Sequence, residues 1–362
     1  MSSPDAKNGL RAAIIGYGLA GSVFHAPLIA ATPGMRVAAI VTSNAERQQS
    51  ARERYPDANI YAHADQLWQE AAQYDLAVVA TSNKTHVPLG EAAMHAGLPV
   101  VIDKPMAATV ADAEQLIVVS KETGKLLTVF QNRRWDNDFL TVQKLLAADL
   151  LGPIIRYESR FERYRAQPRQ GIWRESADPA DAGGQLYDLG SHLIDQALFL
   201  FGQPNAVYAE VEKRRPKAQV DDDVFVALQF SSGIKAHLWM SQVARIPGAR
   251  MRVSGLRGTY EKWGLDPQED MLKAGKRPGD PGWAVEPREQ WGRLSTEIGT
   301  SDVHIDGLIE TVPGAYEHYY AQLRQTLIQG SKPPVEPEQV VEVLRIIEAA
   351  QQSAREKILV KL

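Results

Sequence analysis

The sequence predicts an α/β protein in two parts: a parallel sheet with helices on both faces, then an antiparallel sheet with one wet face. Three observations predict it. Short apolar runs alternate with helical segments through about residue 131. The middle of the chain instead carries longer stretches in which apolar and polar residues alternate. The first apolar run ends in GYGLAG, a glycine turn that opens a helix. Short buried strands between helices mark a parallel sheet, whereas apolar–polar alternation marks strands with one face in water.

The elements follow in order. RAAII (11–15) ends at the glycine turn, and Val23, Leu28 and Ile29 continue on helical spacing. Next come RVAAIV (36–41), the charged helix NAERQQSARERY, LAVVA (76–80) and a helix from about Thr85 to His95. PVVI (99–102), a helix near Thr109–Thr123 and KLLTVF (125–130) close the series. A helix over roughly Asp136–Ala147 then leads into IIRYESRFERY, NAVYAEVEKR, VFVALQF, IKAHLWMSQV and RMRVSG. The last helix, about Pro337–Lys357, carries Val340, Val341, Val343, Leu344, Ile347 and Ala350 on a wide stripe that needs a surface to cover it. Residues 265–300 are rich in Pro and Gly with little periodicity, which reads as a functional or mobile insert. The expected domains are 1–131 and 132–362, with the last helix able to return to the first.

Composition narrows the function. The chain has 362 residues, enough for two cores, with 44% hydrophobic and 23% charged residues. Lys+Arg 40 against Asp+Glu 44 gives a net charge of -4 with no basic block, which argues against a nucleic-acid partner. Without cysteine there are no disulfides, thiolate metal sites or Cys nucleophiles. The start, MSSPDAKNGLRAA, has no apolar signal core, and no apolar run reaches about 18 residues. The expectation is a soluble cytoplasmic protein that engages no membrane.

GYGLAG places Gly16, Gly18 and Gly21, with Leu19 and Ala20 between them, in the G-x-G-x-x-G spacing. The first glycine permits the tight turn, the second admits a pyrophosphate, and the third lets helix and strand close together. A dinucleotide is therefore the expected cofactor. At the end of the second strand, IVTSNAER offers Thr42, Ser43 and Asn44, with Arg47 one turn on, and no carboxylate to repel a 2′-phosphate. NADP is favoured and NAD kept as the alternative; Ser43 and Asn44 can also cap the next helix. Beyond later strand ends, ATSNKTH and VIDKP bring Thr81, Ser82, Asn83, His86, Asp103 and Lys104 to the cofactor crevice.

YDLGSHLIDQ sets Asp188 and His192 four apart, a spacing open to a metal site, an acid–base pair or a surface helix pair. Asp195 could join a metal set, but no fourth ligand is apparent and no metal is expected. A solvated pair would add only about 0.3–0.5 kcal/mol, and Leu189, Leu193 and Ile194 favour a partly buried helix. QNRRWDND and FERYRAQPRQGIWRES offer Arg133, Arg134, Trp135, Arg163, Tyr164, Arg165, Trp173 and Arg174 as donors and apolar walls for a polyol.

Taken together, GYGLAG, TSNKTH, DKP, NRRWD and WRES…GGQLYDLGSHLIDQ resemble the Gfo/Idh/MocA family of sugar and cyclitol dehydrogenases over nearly the whole chain. GYGLAGSVFHAPLI, NRRWDNDFLTVQKL, YDLGSHLIDQALFLFGQP and QEDMLKAGKRPGD are similar to its NADP-dependent scyllo-inositol dehydrogenases. The resemblance implies a Rossmann domain and a C-terminal α/β domain with a large, mostly antiparallel open sheet that builds a homodimer or homotetramer. It maps the lysine of the family's E-K-P motif onto Lys104, with Asp103 one methylene shorter than the usual Glu. Its D-x-x-x-H pair falls on Asp188 and His192, and Asn132, Trp173 and Arg174 fall beside cofactor or substrate. His192 then takes the hydroxyl proton, Asp188 orients it or grips a neighbouring hydroxyl, and Lys104 meets the developing alkoxide. With Arg134, Trp135 and Tyr164 at the substrate, a secondary hydroxyl would be oxidised, or a keto-polyol reduced. The rival expectations are NAD-assisted glycoside cleavage, known within the same superfamily, and a non-catalytic NADP sensor.

Overall fold

The computed structural model describes residues 9–169, 171–298 and 303–362. Two compact units result: one takes the chain up to Asn132 with Gln268–Trp283 and Ala315–Val341, and the other takes Arg133–Pro267, Ala284–Gly314 and Glu342–Leu362.

The first unit alternates β1 (Leu10–Ile15), α1 (Ala26–Ala31), β2 (Met35–Val41), α2 (Ala45–Arg54), β3 (Asn59–Tyr61) and α3 (Ala64–Gln69). It continues through β4 (Leu76–Val79), α4 (His86–His95), β5 (Val100–Asp103), α5 (Val110–Thr123) and β6 (Leu127–Phe130). The six strands pair in parallel in the order β3-β2-β1-β4-β5-β6, the doubly wound Rossmann arrangement. Strand order reverses between β1 and β4, so the carboxyl ends of those two strands flank the place where such sheets bind ligands. Strands as short as LAVV suffice because every residue of it is buried. Helix starts lie where small polar residues signal them: Asn44 accepts the Arg47 N–H at 2.9 Å to cap α2. Thr109 accepts the Asp112 N–H at 3.1 Å to cap α5. Sequence reading passes over β3, whose three residues are too few to show a period.

The second unit holds α6 (Asn137–Ala147), β7 (Ile154–Glu162), α7 (Ser191–Phe201), β8 (Pro204–Glu212), β9 (Asp223–Phe230), β10 (Lys235–Ser241), β11 (Met251–Gly255) and β12 (Gly258–Lys262). After α8 (Gln268–Lys273), which groups with the first unit, come β13 (Gly292–Glu297) and β14 (His304–Ile309). The chain then forms α9 (Glu317–Gln329), again in the first unit, α10 (Pro337–Glu356) and β15 (Val360–Lys361). The nine-stranded sheet runs β14-β13-β12-β11-β7-β10-β9-β8-β15. Every neighbouring pair is antiparallel except β7 with β10. The alternation read from sequence is the alternation seen: Tyr157, Ser159 and Phe161 on β7 and Ala236, Leu238 and Met240 on β10 are buried. The opposite face carries Arg160, Phe225, His237 and Trp239, with the Arg160 guanidinium 3.7 Å over the Trp239 ring. The α10 stripe is buried along its length.

The 265–300 stretch corrects the sequence reading. It contains α8, a 3₁₀ turn at Arg288–Gln290 and β13, while residues 299 and 300 fall outside the described residues. β13 pairs with β12 and β14, and Lys262 on β12 anchors the preceding loop through Glu286 at 3.0 Å and the Gln290 carbonyl at 2.8 Å. A strand whose buried positions are Gly292, Leu294 and Thr296 has too little apolar contrast to read. Among the described residues no helix is long and apolar enough to cross a membrane.

Candidate active site

The glycine turn is built by close approach. Gly16 has φ +97° and donates its N–H to the Val41 carbonyl at 2.9 Å, and a Cβ there would strike the Ala80 carbonyl at the end of β4. A Cβ on Gly21 would strike the Gly16 carbonyl. Gly18 faces open space except for Arg47, whose Nη1 lies 3.8 Å from where a Cβ would stand. These three environments fit the roles that the motif demands of its glycines. The helix after the turn is not the expected α-helix at first: Ala20–His25 is π-helical and only then continues as α1. The Ser22 N–H and hydroxyl both donate to the Gly18 carbonyl, at 2.9 and 2.7 Å. At the end of β2, Thr42 is held by the Tyr61 carbonyl and by the Gln48 amide, whereas Ser43, Asn44 and Arg47 are exposed.

Beyond β4, the Thr85 hydroxyl lies 2.7 Å from that of Thr81 and 2.8 Å from the Ser82 carbonyl, which shapes a 3₁₀ turn at Asn83–Thr85. His86 is buried, with Nδ1 2.8 Å from the Pro105 carbonyl and Nε2 3.3 Å from the Thr81 carbonyl. Burial pulls its pKa down, against the nearby Asp103 charge. His86 lies buried between the Thr81 and Pro105 carbonyls, and a neutral ring donates its one N–H to one of them. Asn83 and Asn132 are likewise buried. Asp103 ends β5, and its Oδ1 accepts the Lys104 N–H at 2.8 Å; Lys104 is half-buried and its bond to Pro105 is cis.

In the second unit Asp188 and His192 lie on one continuous helix with a change of winding. Leu186–Gly190 is π-helical and passes into α7 at Ser191. Single π turns inside helices recur at functional sites, and neither π segment is visible as a sequence period. Asp188 is buried, with Oδ1 accepting from Arg174 Nε at 3.1 Å, and that guanidinium lies 4.2 Å over the Trp173 ring. Trp173, Arg174 and Asp188 thus form one cluster. His192, 4% exposed, stands one turn further along.

The predicted substrate residues separate into two groups. Arg134 is buried and grips Asp195 through both arms of its fork, at 2.8 and 2.7 Å. With Trp135 also buried and the Gln196 amide donating to the Arg133 carbonyl at 2.8 Å, this segment locks α7 three and four residues past His192. Arg134 commits Nε and Nη2 to Asp195, and both Arg134 and Trp135 are buried, so in this structure they brace α7. Tyr164 is exposed, and its hydroxyl accepts from Arg245 at 2.8 Å.

Sequence reading missed Asp221. Its Oδ2 accepts the Leu186 N–H at 2.8 Å at the start of the π turn, and its carboxylate fills the space where Gly184, at φ +95°, would carry a Cβ. Burial pushes its pKa up to about 6. The adjacent Asp222 binds Arg215 Nε at 2.9 Å, and Arg215 also holds Glu175 at 2.9 Å, tying the Trp173–Glu175 turn to the sheet. No local motif announces these residues, since Asp221 and Arg215 act on segments 35 and 40 positions away.

The parallel sheet with its glycine turn has the architecture of a dinucleotide-binding domain, and the comparisons give the class. Residues 10–131 match the model described as oxidoreductase family, NAD-binding Rossmann fold, and residues 143–362 match its C-terminal alpha/beta domain. The chain belongs to the Gfo/Idh/MocA oxidoreductase family. It is 38% identical to the scyllo-inositol 2-dehydrogenase (NADP(+)) IolW of Bacillus subtilis, over 96% of this chain and 94% of that one. It is also 38% identical to the uncharacterized oxidoreductase YdgJ of Escherichia coli, over 96% and 97%. The solved structure of the oxidoreductase yvaA from Bacillus subtilis superposes with a TM-score of 0.91 at 37% identity, covering 98% of this chain and 99% of that one.

Proposed function

We propose that this chain is an NADP-dependent dehydrogenase that oxidises a secondary hydroxyl of a scyllo-inositol-like cyclitol or sugar, or reduces the corresponding ketone. The observation that carries the reading is Asp188, gripped by Arg174, with His192 on the same rigidly tethered helix of a chain whose other unit offers a glycine cradle. The cradle fits a dinucleotide, because its second glycine is left open where a pyrophosphate must approach. Gly16, Gly18 and Gly21 would hold the pyrophosphate. Arg47, beside Gly18 and next to a strand end without a carboxylate, supports a 2′-phosphate and hence NADP over NAD.

When bound, the nicotinamide supplies the redox step, and the chain's residues manage charge and protons around it. In the direction of oxidation, the substrate's hydroxyl proton passes to a ring nitrogen of His192 acting as general base. Asp188, already committed on one oxygen to Arg174, orients the imidazole or accepts from a neighbouring hydroxyl. Lys104 places positive charge at the oxygen as alkoxide character grows. Thr81, Ser82 and Asn132 line the cofactor side, and Trp173 and Tyr164 offer flat walls to a ring. The IolW resemblance supports a scyllo-inositol-like substrate. The aromatic outer face of the large sheet, with Phe225 and Trp239 5.1 Å apart, supports assembly as a homodimer or homotetramer. The test is dihydronicotinamide absorbance with scyllo-inositol and with glucose, each run with NADP and with NAD. Turnover with scyllo-inositol and NADP is expected; turnover with NAD alone would overturn the assignment to Arg47, and no redox change with any polyol or ketone would overturn the dehydrogenase.

A further inference from the structure

A buried histidine that the proposed chemistry does not use faces Asp103, the residue before Lys104. His25, the last residue of the π turn after the glycine loop, is 0% exposed. Its Nδ1 lies 2.6 Å from the hydroxyl of Tyr320 on α9, itself fully buried, and its ring sits 4.4 Å from that of Phe130. Its Nε2 has no hydrogen-bond partner but faces Asp103 Oδ1 at 4.0 Å. That same oxygen accepts the Lys104 N–H. On the other side of Lys104, the Pro105 carbonyl is held by His86. The residue proposed to meet the alkoxide is thus flanked by the Asp103 carboxylate and the Pro105 carbonyl, the first faced by the buried His25 ring and the second by the buried His86 ring.

The tautomer of His25 follows from the charges around it. Were Nδ1 to carry the proton, the Nε2 lone pair would point at a carboxylate, an unfavourable contact in a buried site. With the proton on Nε2, the Tyr320 O–H donates to Nδ1 and the Nε2–H dipole points at Asp103. Burial lowers the His25 pKa to about 4, so the ring is neutral around pH 7 and only its N–H dipole acts. The chain then runs in one direction: Tyr320 to His25, His25 to Asp103, with the Asp103 carboxylate also receiving the Lys104 N–H.

We propose that His25 and Tyr320 are positioning residues for Lys104, fixing the Asp103 carboxylate from behind so that the Lys104 backbone, and with it the ammonium, has a single direction. The role rests on Lys104 serving the reaction proposed above, and two kinds of readout keep the claims apart. Nitrogen-15 NMR of histidine-labelled protein, assigned by loss of a signal in His25→Gln, is expected to show His25 as the neutral Nε2–H tautomer. An Nδ1–H tautomer would overturn the chain of contacts, whatever the enzyme's substrate. In kinetics, His25→Leu is expected to lower kcat roughly 10- to 100-fold while the Kd for NADPH, read by its fluorescence, stays within about twofold. His25→Gln, whose amide can return an N–H toward Asp103, is expected to recover most of that loss. Wild-type kcat in His25→Leu would overturn the proposal. So would equal loss in both variants with NADPH binding weakened in step, which is the mark of a structural role. If His25→Leu does not fold, Tyr320→Phe removes only the hydroxyl and is expected to lower kcat severalfold at unchanged Kd; an unchanged kcat there counts against the proposal.

Discussion

The glycine cradle and the Asp188–His192 helix are built on opposite principles. The cradle is main chain against main chain: Gly16 against Ala80, Gly21 against Gly16, with the adjoining strands buried on both faces. Its shape is set locally, by residues a few positions apart or on adjacent strands. The helix is held by charged tethers from distant segments: Arg174 on Asp188, Arg134 on Asp195, Asp221 at its start and Arg215 behind the Trp173 turn. A cradle of this kind tolerates little change of volume and much change of charge. For the helix the reverse holds, because removing one member of a buried pair leaves the other charge stranded.

That contrast can be broken or sharpened at four places. The largest effect is expected at the proposed general base: His192→Ala should cut kcat by roughly 10²–10⁴ in steady-state assays with NADPH affinity unchanged. A parallel loss of NADPH binding would mean that the two regions are not separable in function. Next comes the tether Arg134–Asp195, where Asp195→Leu is expected to lower unfolding free energy by about 3–5 kcal/mol, measured by urea titration, because both groups are buried. An effect below about 1 kcal/mol would show that the helix is held by packing alone.

A smaller change is expected at Arg47. Arg47→Ala should weaken NADPH about tenfold in a fluorescence titration and leave NADH nearly unaffected, because the guanidinium would meet only the 2′-phosphate. Equal weakening of both cofactors would assign Arg47 to the pyrophosphate instead. The smallest is a matter of pH. Asp221 has its folded pKa raised from 3.8 to about 6, so the folded chain holds that proton more tightly than the unfolded chain between those values. Its contribution to stability is greatest below the unfolded value and is lost as pH rises through about 6. Asp221→Asn should flatten this part of the stability–pH curve in thermal melts; an unchanged slope would mean that the carboxyl is already ionised there.

The contrast also explains what the sequence discloses. The parallel sheet, the G-x-G-x-x-G spacing and the neutral end of β2 are legible because local chemistry dictates them: apolar runs, obligatory glycines, an Asn cap. Asp188 and His192 are legible as a pair through their spacing and family resemblance. The π-helical winding at Asp188 is not, because it depends on how the segment is anchored rather than on which residues it contains. Arg134 reads as a substrate donor in the sequence, and its buried pairing with Asp195, 61 positions away, has no local signal. Asp221 carries no motif, and His25 sits within GYGLAGSVFHAPLI with no chemistry marked on it; the surroundings of each come from burial and from partners 35 and 295 positions distant. β13 escapes for a simpler reason, since a six-residue strand with one large apolar side chain has no contrast to detect.

The most direct test of this division of labour is a paired measurement on His192→Ala and Arg47→Ala, with NADPH Kd by fluorescence and single-turnover rate at saturating cofactor and polyol. The account predicts that His192→Ala binds NADPH like the wild type and turns over at least about a hundredfold more slowly. It predicts that Arg47→Ala binds NADPH weakly yet reacts at the wild-type rate once saturated. Wild-type turnover in His192→Ala, or a slow saturated rate in Arg47→Ala, would contradict it.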